Sequence, residues 1–322
     1  MSRRTTLVLL GLCTVMAFAL SLLAGKVWIA PWDIAAGSPQ VWIMAQLRLP
    51  RAVLGLAIGA GLGAAGAALQ GYSRNPLADP SVLGVSASAA MGAVLAIFLG
   101  AGGVGWIVSA SAMAAAFGAV LLLGLLAGRS NSAIAFILAG TVLSSLAGSL
   151  TVLLISLAPN PFATSEIVTW LMGALTDRGW QEARFAVPLI AMGCILFMGA
   201  GRALDALTLG EGVARSLGID LGRLQLRLAF ALALTVGASV AATGVVGFVG
   251  LIVPHILRPL FGEQPSGLLI PSMLGGALLV LVADGLVRLV PGAMELRLGV
   301  AMALIGAPFF FAMLLRYRRE LA

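Results

Sequence analysis

Long apolar stretches follow one another almost without a break along this chain, and a backbone inside hydrocarbon must satisfy its hydrogen bonds internally. Ten stretches can be read, at about residues 7 to 25, 50 to 72, 81 to 99, 104 to 128, 133 to 157, 185 to 201, 228 to 247, 252 to 262, 268 to 288 and 298 to 315. Most approach the roughly 20 residues with which an α-helix crosses a bilayer, and alternating ten-residue strands are absent. The eighth is too short to cross without its flanks. The expected fold is all-α: a polytopic membrane protein with about ten transmembrane helices, forming one domain over residues 1 to 322.

Composition narrows the function classes. Only 10% of residues are charged, whereas soluble domains carry about 25%. The net charge of +7 could point to nucleic acid, but the basic residues are scattered singly between apolar runs, so lipid is the expected surrounding and nucleic acid is not. Cys13 and Cys194 lie inside apolar runs, where a thiol behaves as a small hydrophobe, and no disulfide or metal site is expected from them. Ser2-Arg3-Arg4 imitates an export signal, yet the apolar run continues to Gly25, which reads as a retained first span. In the second span Gly55, Gly59, Gly63, Ala67 and Gly71 recur every fourth residue and lay a side-chain-free ridge down one face, a packing signal.

An even number of spans puts both termini on one side. With the termini in the cytoplasm, Arg3, Arg4, Arg74, Arg129, Arg202, Arg215, Arg223, Arg227, Arg258, Arg316, Arg318 and Arg319 lie inside. Lys26, Arg48, Arg51, Arg178, Arg184, Arg288 and Arg297 lie outside, and twelve against seven favours this orientation.

One polar segment interrupts the middle of the chain. From Arg202 to Arg227 it carries four arginines (Arg202, Arg215, Arg223, Arg227) and three acids (Asp205, Glu211, Asp220) in 26 residues. Gly210, Gly212, Gly218 and Gly222 punctuate it, predicting two short helices, Leu204 to Ser216 and Leu221 onward. A charged helix-turn-helix on the basic side suits docking of a soluble partner; the alternative is an ordinary solvated loop. Outside, Pro159-Asn160-Pro161 opens a segment in which Phe162 to Ala174 forms a short amphipathic helix, capped by Thr164 or Ser165 with Glu166 in its first turn.

The chemistry that is missing is equally informative. The central parts of the long spans carry no ionisable side chain of the kind a gradient-driven carrier uses; Asp284 lies near a span end, four residues before Arg288, and reads as an intrahelical ion pair. His255 stands without Cys, His or acidic neighbours and reads as a packing residue. The only lysine, Lys26, sits in Gly25-Lys26-Val27, which is no phosphate loop, so ATP could be used only by another subunit. An intramembrane enzyme would need a nucleophile or metal constellation, and an export permease would need no external binding protein.

Several motifs, in order, resemble the permease family of binding-protein-dependent ABC importers for iron-siderophores, haem and vitamin B12. They are Arg48-Leu49-Pro50-Arg51, Gln70-Gly71, Asn75-Pro76-Leu77-Ala78-Asp79-Pro80 with Leu83-Gly84-Val85, Leu209-Gly210 through Ala214, Leu217-Gly218, Gly247-Phe248-Val249-Gly250-Leu251 with Pro254-His255-Ile256, and Gly306-Ala307-Pro308-Phe309. The resemblance implies a ten-helix inner-membrane subunit that pairs with a second permease copy, sits on two cytoplasmic ATPases and receives a metal chelate from a periplasmic binding protein. Leu209, Gly210, Glu211, Ala214, Leu217 and Gly218 would then fall in the ATPase-coupling helices. Arg48, Arg51 and Arg288 would pair with acids of the binding protein. Asn75 and Leu77 would lie at the cytoplasmic gate beside Ser132 and Ala133, in the loop from Ser130, with the fifth and tenth spans lining the pathway. Arg297 departs from the family, which usually has proline there.

Overall fold

The computed structural model describes residues 2–30, 39–127, 132–290 and 295–321. Arg129 and Ser130 lie outside these residues, and the side chains of Arg316, Arg318 and Arg319 are likewise not described. Among the described residues every regular element is helical. In order they are α1 (Arg3–Leu23), α2 (Pro39–Ile43), α3 (Leu49–Ser73), α4 (Val85–Ala96), α5 (Gly105–Ala127), α6 (Ala133–Ser156) and α7 (Pro161–Leu171). There follow α8 (Trp180–Leu207), α9 (Glu211–Ser216), α10 (Leu221–Leu232), α11 (Ala238–Thr243), α12 (Val249–Phe261), α13 (Pro265–Leu289) and α14 (Leu298–Leu321). Single π-helical turns join α2 to α3 and α10 to α11, so each pair forms one continuous rod.

Among the described residues, seven helices are long and apolar enough to cross a membrane: α1, the rod Pro39–Ser73, Gly105–Leu126, Ala133–Ser156, Trp180–Leu207, the rod Leu221–Thr243, and Pro265–Leu289. Three shorter apolar helices, Val85–Ala101, Val249–Phe261 and Leu298–Met313, occupy the positions of the remaining expected stretches. The ends differ from expectation where polar residues extend a helix beyond its apolar run. The span expected at 185 to 201 runs from Trp180 to Leu207, and the one expected at 228 begins at Leu221 under an Asp220 cap.

The two rods form the centre. In both Pro39–Ser73 and Leu221–Thr243, 83% of the apolar window is buried, against 17% for α1 and for α6. The glycine ridge explains how α3 becomes so enclosed. Gly59 faces the backbone of Gly276, Gly63 faces the carbonyl of Ser272, and Gly66 faces Gly250, so α13 and α12 lie directly on α3 with no side chain between.

The short helix expected after Pro159-Asn160-Pro161 forms as α7 and ends at Leu171, but its cap is Asn160, whose Oδ1 accepts the Ala163 amide at 2.9 Å. Pro161 sets the first helical φ, so the helix starts earlier than a Thr164 or Ser165 cap would allow. His255 packs edge-on against Phe309 at 5.9 Å, in keeping with a packing role.

Candidate functional site: a charged platform, a gate and an arginine cluster

The polar segment folds around two glycines with positive φ. Gly210 (φ 101°) separates the end of α8 from α9, and Gly218 (φ 82°) turns α9 into α10. The expected helix Leu204 to Ser216 is therefore two pieces, because Gly210 takes a conformation closed to L side chains within a helix. Leu209, Val213 and Leu217 are exposed at 64%, 45% and 61%, forming an apolar outer face flanked by exposed Arg202, Arg215 and Arg223. Ala214 lies in α9 as expected for the segment, and its side chain is fully buried on the inner side of that helix.

The three acids of the segment turn away from that face. Asp205 accepts the Ser266 amide at 2.9 Å and the Ser266 hydroxyl at 2.6 Å, holding the N-terminus of α13. Asp220 accepts the Arg223 amide at 3.0 Å and caps α10. Glu211 reaches across to α6, where its Oε1 accepts the Ala133 amide at 3.1 Å. Each carboxylate thus meets the positive end of a helix. Two of the flanking arginines are also paired with these acids, Arg215 with Glu211 at 3.7 Å and Arg223 with Asp220 at 3.1 Å.

A side chain that sequence reasoning missed links the end of α3 to one of the expected gate residues, Ser132. Buried Gln225 of α10 donates to the Tyr72 hydroxyl at 2.8 Å and to the Ser132 carbonyl at 3.3 Å. Tyr72 precedes Asn75 by three residues and lies edge-on to Phe136 at 5.6 Å, so the end of α3 and the start of α6 share one contact. Asn75 is exposed, and its Oδ1 accepts the Leu77 amide at 2.9 Å, fixing the turn; Leu77 is half-buried. Ser132 is half-buried and Ala133 buried. Farther along, Ser144 donates to the carbonyls of Ser81 and Val82, and Gly140 lies against Leu83. A lone buried glutamine has no periodic signature, which is why the pattern of the sequence does not single it out.

At the opposite end lies a buried ionic cluster. Arg51 meets Asp284 at 2.8 Å and Glu295 at 3.1 Å, and Arg288 meets Asp284 at 2.9 Å, within α13 as the four-residue spacing predicts. Arg288 also donates to the carbonyls of Ser21 and Ala24 and to the Ser21 hydroxyl, tying α13 to α1. Arg48 donates to the carbonyls of Leu22, Leu23 and Val27 around the end of α1. Arg51 and Arg288 are buried at 9% and 4% exposure. Acids and carbonyls of the same chain thus engage buried Arg51 and Arg288, while half-exposed Arg48 is held by carbonyls alone.

Burial opposes ionisation of Glu295, but the Thr176 hydroxyl at 2.8 Å and the Arg51 guanidinium outweigh it and hold its pKa below the ordinary carboxylate value. Because the native value is the depressed one, Glu295 stabilises the fold above its ordinary pKa of 4.5, and that contribution disappears as pH falls through the lower native value. Thermal unfolding followed from pH 7 down to pH 3 should show a flatter acid limb for Glu295→Gln than for the parent chain. Superimposable limbs would mean that Glu295 contributes nothing to acid sensitivity.

Comparison with known proteins now decides the family. The sequence profile described as the FecCD transport family matches residues 13–316. The chain belongs to the FecCD transport family. The chain is 40% identical over 283 residues to the ABC transporter permease protein YvrB of Bacillus subtilis (strain 168), covering 86% of this chain and 80% of that one. It is 38% identical over 314 residues to the vitamin B12 import system permease protein BtuC of Salmonella typhi, covering 96% and 94%. Among solved structures, a metal-chelate type ABC transporter in an inward-facing conformation superposes with a TM-score of 0.86 at 32% identity, covering 97% of this chain and 99% of that one. As a FecCD-family member the chain is a multi-pass membrane permease, and a transport component. Within this FecCD-family fold, Asp205, Gln225, Tyr72, Thr176 and Glu295 join the expected site residues through their bonds to Ser266, Ser132 and Arg51 and to one another.

Proposed function

We propose that the chain is the permease subunit of an ABC importer that takes a metal chelate from a periplasmic binding protein and passes it through the inner membrane into the cytoplasm. Iron-siderophore, haem and cobalamin are the chelates considered, and two separate ATPase subunits supply the energy. A second copy of the permease completes the pathway, with α6 and α14 lining it and both termini in the cytoplasm. The binding protein docks at the end carrying Arg48, Arg51 and Arg288, whose internal ties keep that surface in shape for it.

The observation that carries this reading is the platform: exposed Leu209, Val213 and Leu217 in a segment that also exposes Arg202, Arg215 and Arg223 and whose acids grip two separate spans. An exposed patch of this kind at a polar end of the bundle suits a soluble partner. Asp205 anchors the platform to α13, and Glu211 joins it to α6. This chain performs no bond chemistry in that cycle and binds no cofactor of its own; ATP is used by the partner.

Leu209→Glu and Leu217→Glu should each weaken co-purification of the cognate ATPase subunits about tenfold or more, since a buried leucine contributes roughly 1.5–3 kcal/mol and a carboxylate in its place adds desolvation. Unaltered association would sink the platform assignment. Transport is measured in proteoliposomes holding permease and ATPases, with the binding protein outside, using ferric siderophores, haem and cyanocobalamin in parallel. Equal uptake by the permease alone would favour a gradient-driven carrier instead.

A further inference from the structure

We propose that Glu211 is a positioning residue that faces inward, a latch through which movement of α9 is passed to the N-terminus of α6. The proposal rests on the importer reading above and adds which bond carries the movement. Its first support is the hydrogen bond from the Ala133 amide to Glu211 Oε1, made across 78 residues of sequence. Ser132 occupies the cap position of α6 with extended dihedrals, but its side chain makes no capping bond, and the first turn of α6 has no acid. Among the described residues, the capping role falls to a side chain from another element.

The second support is the way the two connected pieces are held. α9 is a six-residue helix between Gly210 and Gly218, both with positive φ and both with open space where a Cβ would stand. It can therefore tilt about two glycine joints. α6 is one of the two least embedded spans, with 17% of its apolar window buried. A cleft lined by Leu123, Phe136, Gln225 and Leu226 lies beside its first turns, bridged to α10 by the Gln225 bond to the Ser132 carbonyl. Asp205 makes a comparable bond to α13, but α13 is locked onto α3 at Gly59 and Gly276, so that tie has nothing free to move. A displaced α9 thus draws directly on the N-terminus of α6 through Glu211, at the point where Gln225 and Tyr72 link α6 to the two central rods.

The role differs from direct contact with an ATPase. The other Glu211 oxygen lies 3.7 Å from Arg215 on the same helix turn, so the carboxylate is engaged on both sides within the chain. The test uses the assembled transporter in nanodiscs, with Cys13 and Cys194 replaced and spin labels on exposed Ile134 and Arg74, at the start of α6 and the end of α3. The distance between labels is measured without nucleotide and after trapping with ATP and vanadate.

In the parent protein and in Glu211→Gln, which keeps an acceptor oxygen, trapping shifts the distance. In Glu211→Ala the ATPases still co-purify and hydrolyse ATP, but the shifted population falls about tenfold, the change expected on losing one charge-assisted hydrogen bond. Ala133→Pro supplies an independent variant: proline is tolerated at the first helical position and deletes the amide that Glu211 accepts. It should match Glu211→Ala. A parent-like shift in Glu211→Ala or in Ala133→Pro overturns the latch and leaves the importer reading intact. Loss of ATPase association in Glu211→Ala overturns it too, because the carboxylate would then be a partner contact. A Gln variant that behaves as alanine overturns the hydrogen-bond account, whereas a parent transporter with no nucleotide-dependent shift rejects the coupling reading itself.

Discussion

Asp284→Ala is expected to lower the stability of the chain by about 3–5 kcal/mol, the range found when one partner of a buried ion pair is removed. The carboxylate accepts from Arg51 at 2.8 and 3.1 Å and from Arg288 at 2.9 Å, and it is only 2% exposed. Without it, Arg288 keeps three neutral partners near the end of α1 and Arg51 keeps Glu295. Two guanidiniums would then share one remaining carboxylate inside the bundle. Thermal unfolding in detergent, followed by the loss of soluble monodisperse protein, reads the effect. Arg48→Ala serves as the contrast, since Arg48 is half-exposed and binds only backbone carbonyls, and a much smaller loss is expected. Equal losses for the two variants would show that the cluster is no more than a set of surface contacts. The same result bears on docking experiments: charge reversal of Arg51 or Arg288 would damage the fold before it reported on a partner.

Gly276→Val should also destabilise the bundle strongly. A Cβ on Gly276 meets the Gly59 carbonyl, and one on Gly59 would stand 2.7 Å from the Cα of Ala277, so each glycine blocks substitution of the other. The obstacle on both sides is backbone, which has no rotamer to yield, and overpacking of this kind costs about 1–3 kcal/mol or more. The expected outcome is a lower melting temperature together with loss of disulfide cross-linking between cysteines placed on α3 and α13. Gly118→Ala is the control: no heavy atom lies within 4 Å of its added Cβ, and alanine is the better helix former. If Gly276→Val melts with the control, the close crossing of α3 and α13 is wrong.

Much of the architecture was legible because its causes are local. Mean hydropathy and run length mark the spans, and glycines every fourth residue mark α3 as the helix that others approach. Gly210 and Gly218 announced breaks, although the pattern could not tell that Gly210 would split the first short helix from α8. The pair Asp284 and Arg288 was readable from spacing of four, since helical geometry alone brings them together.

The charged residues were read less well. Their types suggested surfaces, with arginines for one partner and the Arg202–Arg227 segment for another. The folded chain turns Arg51 and Arg288 inward and gives the acids of that segment to helix termini.

By itself, then, the amino-acid sequence determined the class, the order of the helices and the position of the polar platform, because solvation and backbone preference act over a few neighbouring residues. Which charges face a partner and which hold the bundle together was decided only in three dimensions. Arg51 finds Asp284 across 233 residues, and Glu211 finds the amide of Ala133 across 78. A charge or a bare helix end withdrawn from water takes whatever counter-group packing delivers to it, and no spacing along the chain records that delivery.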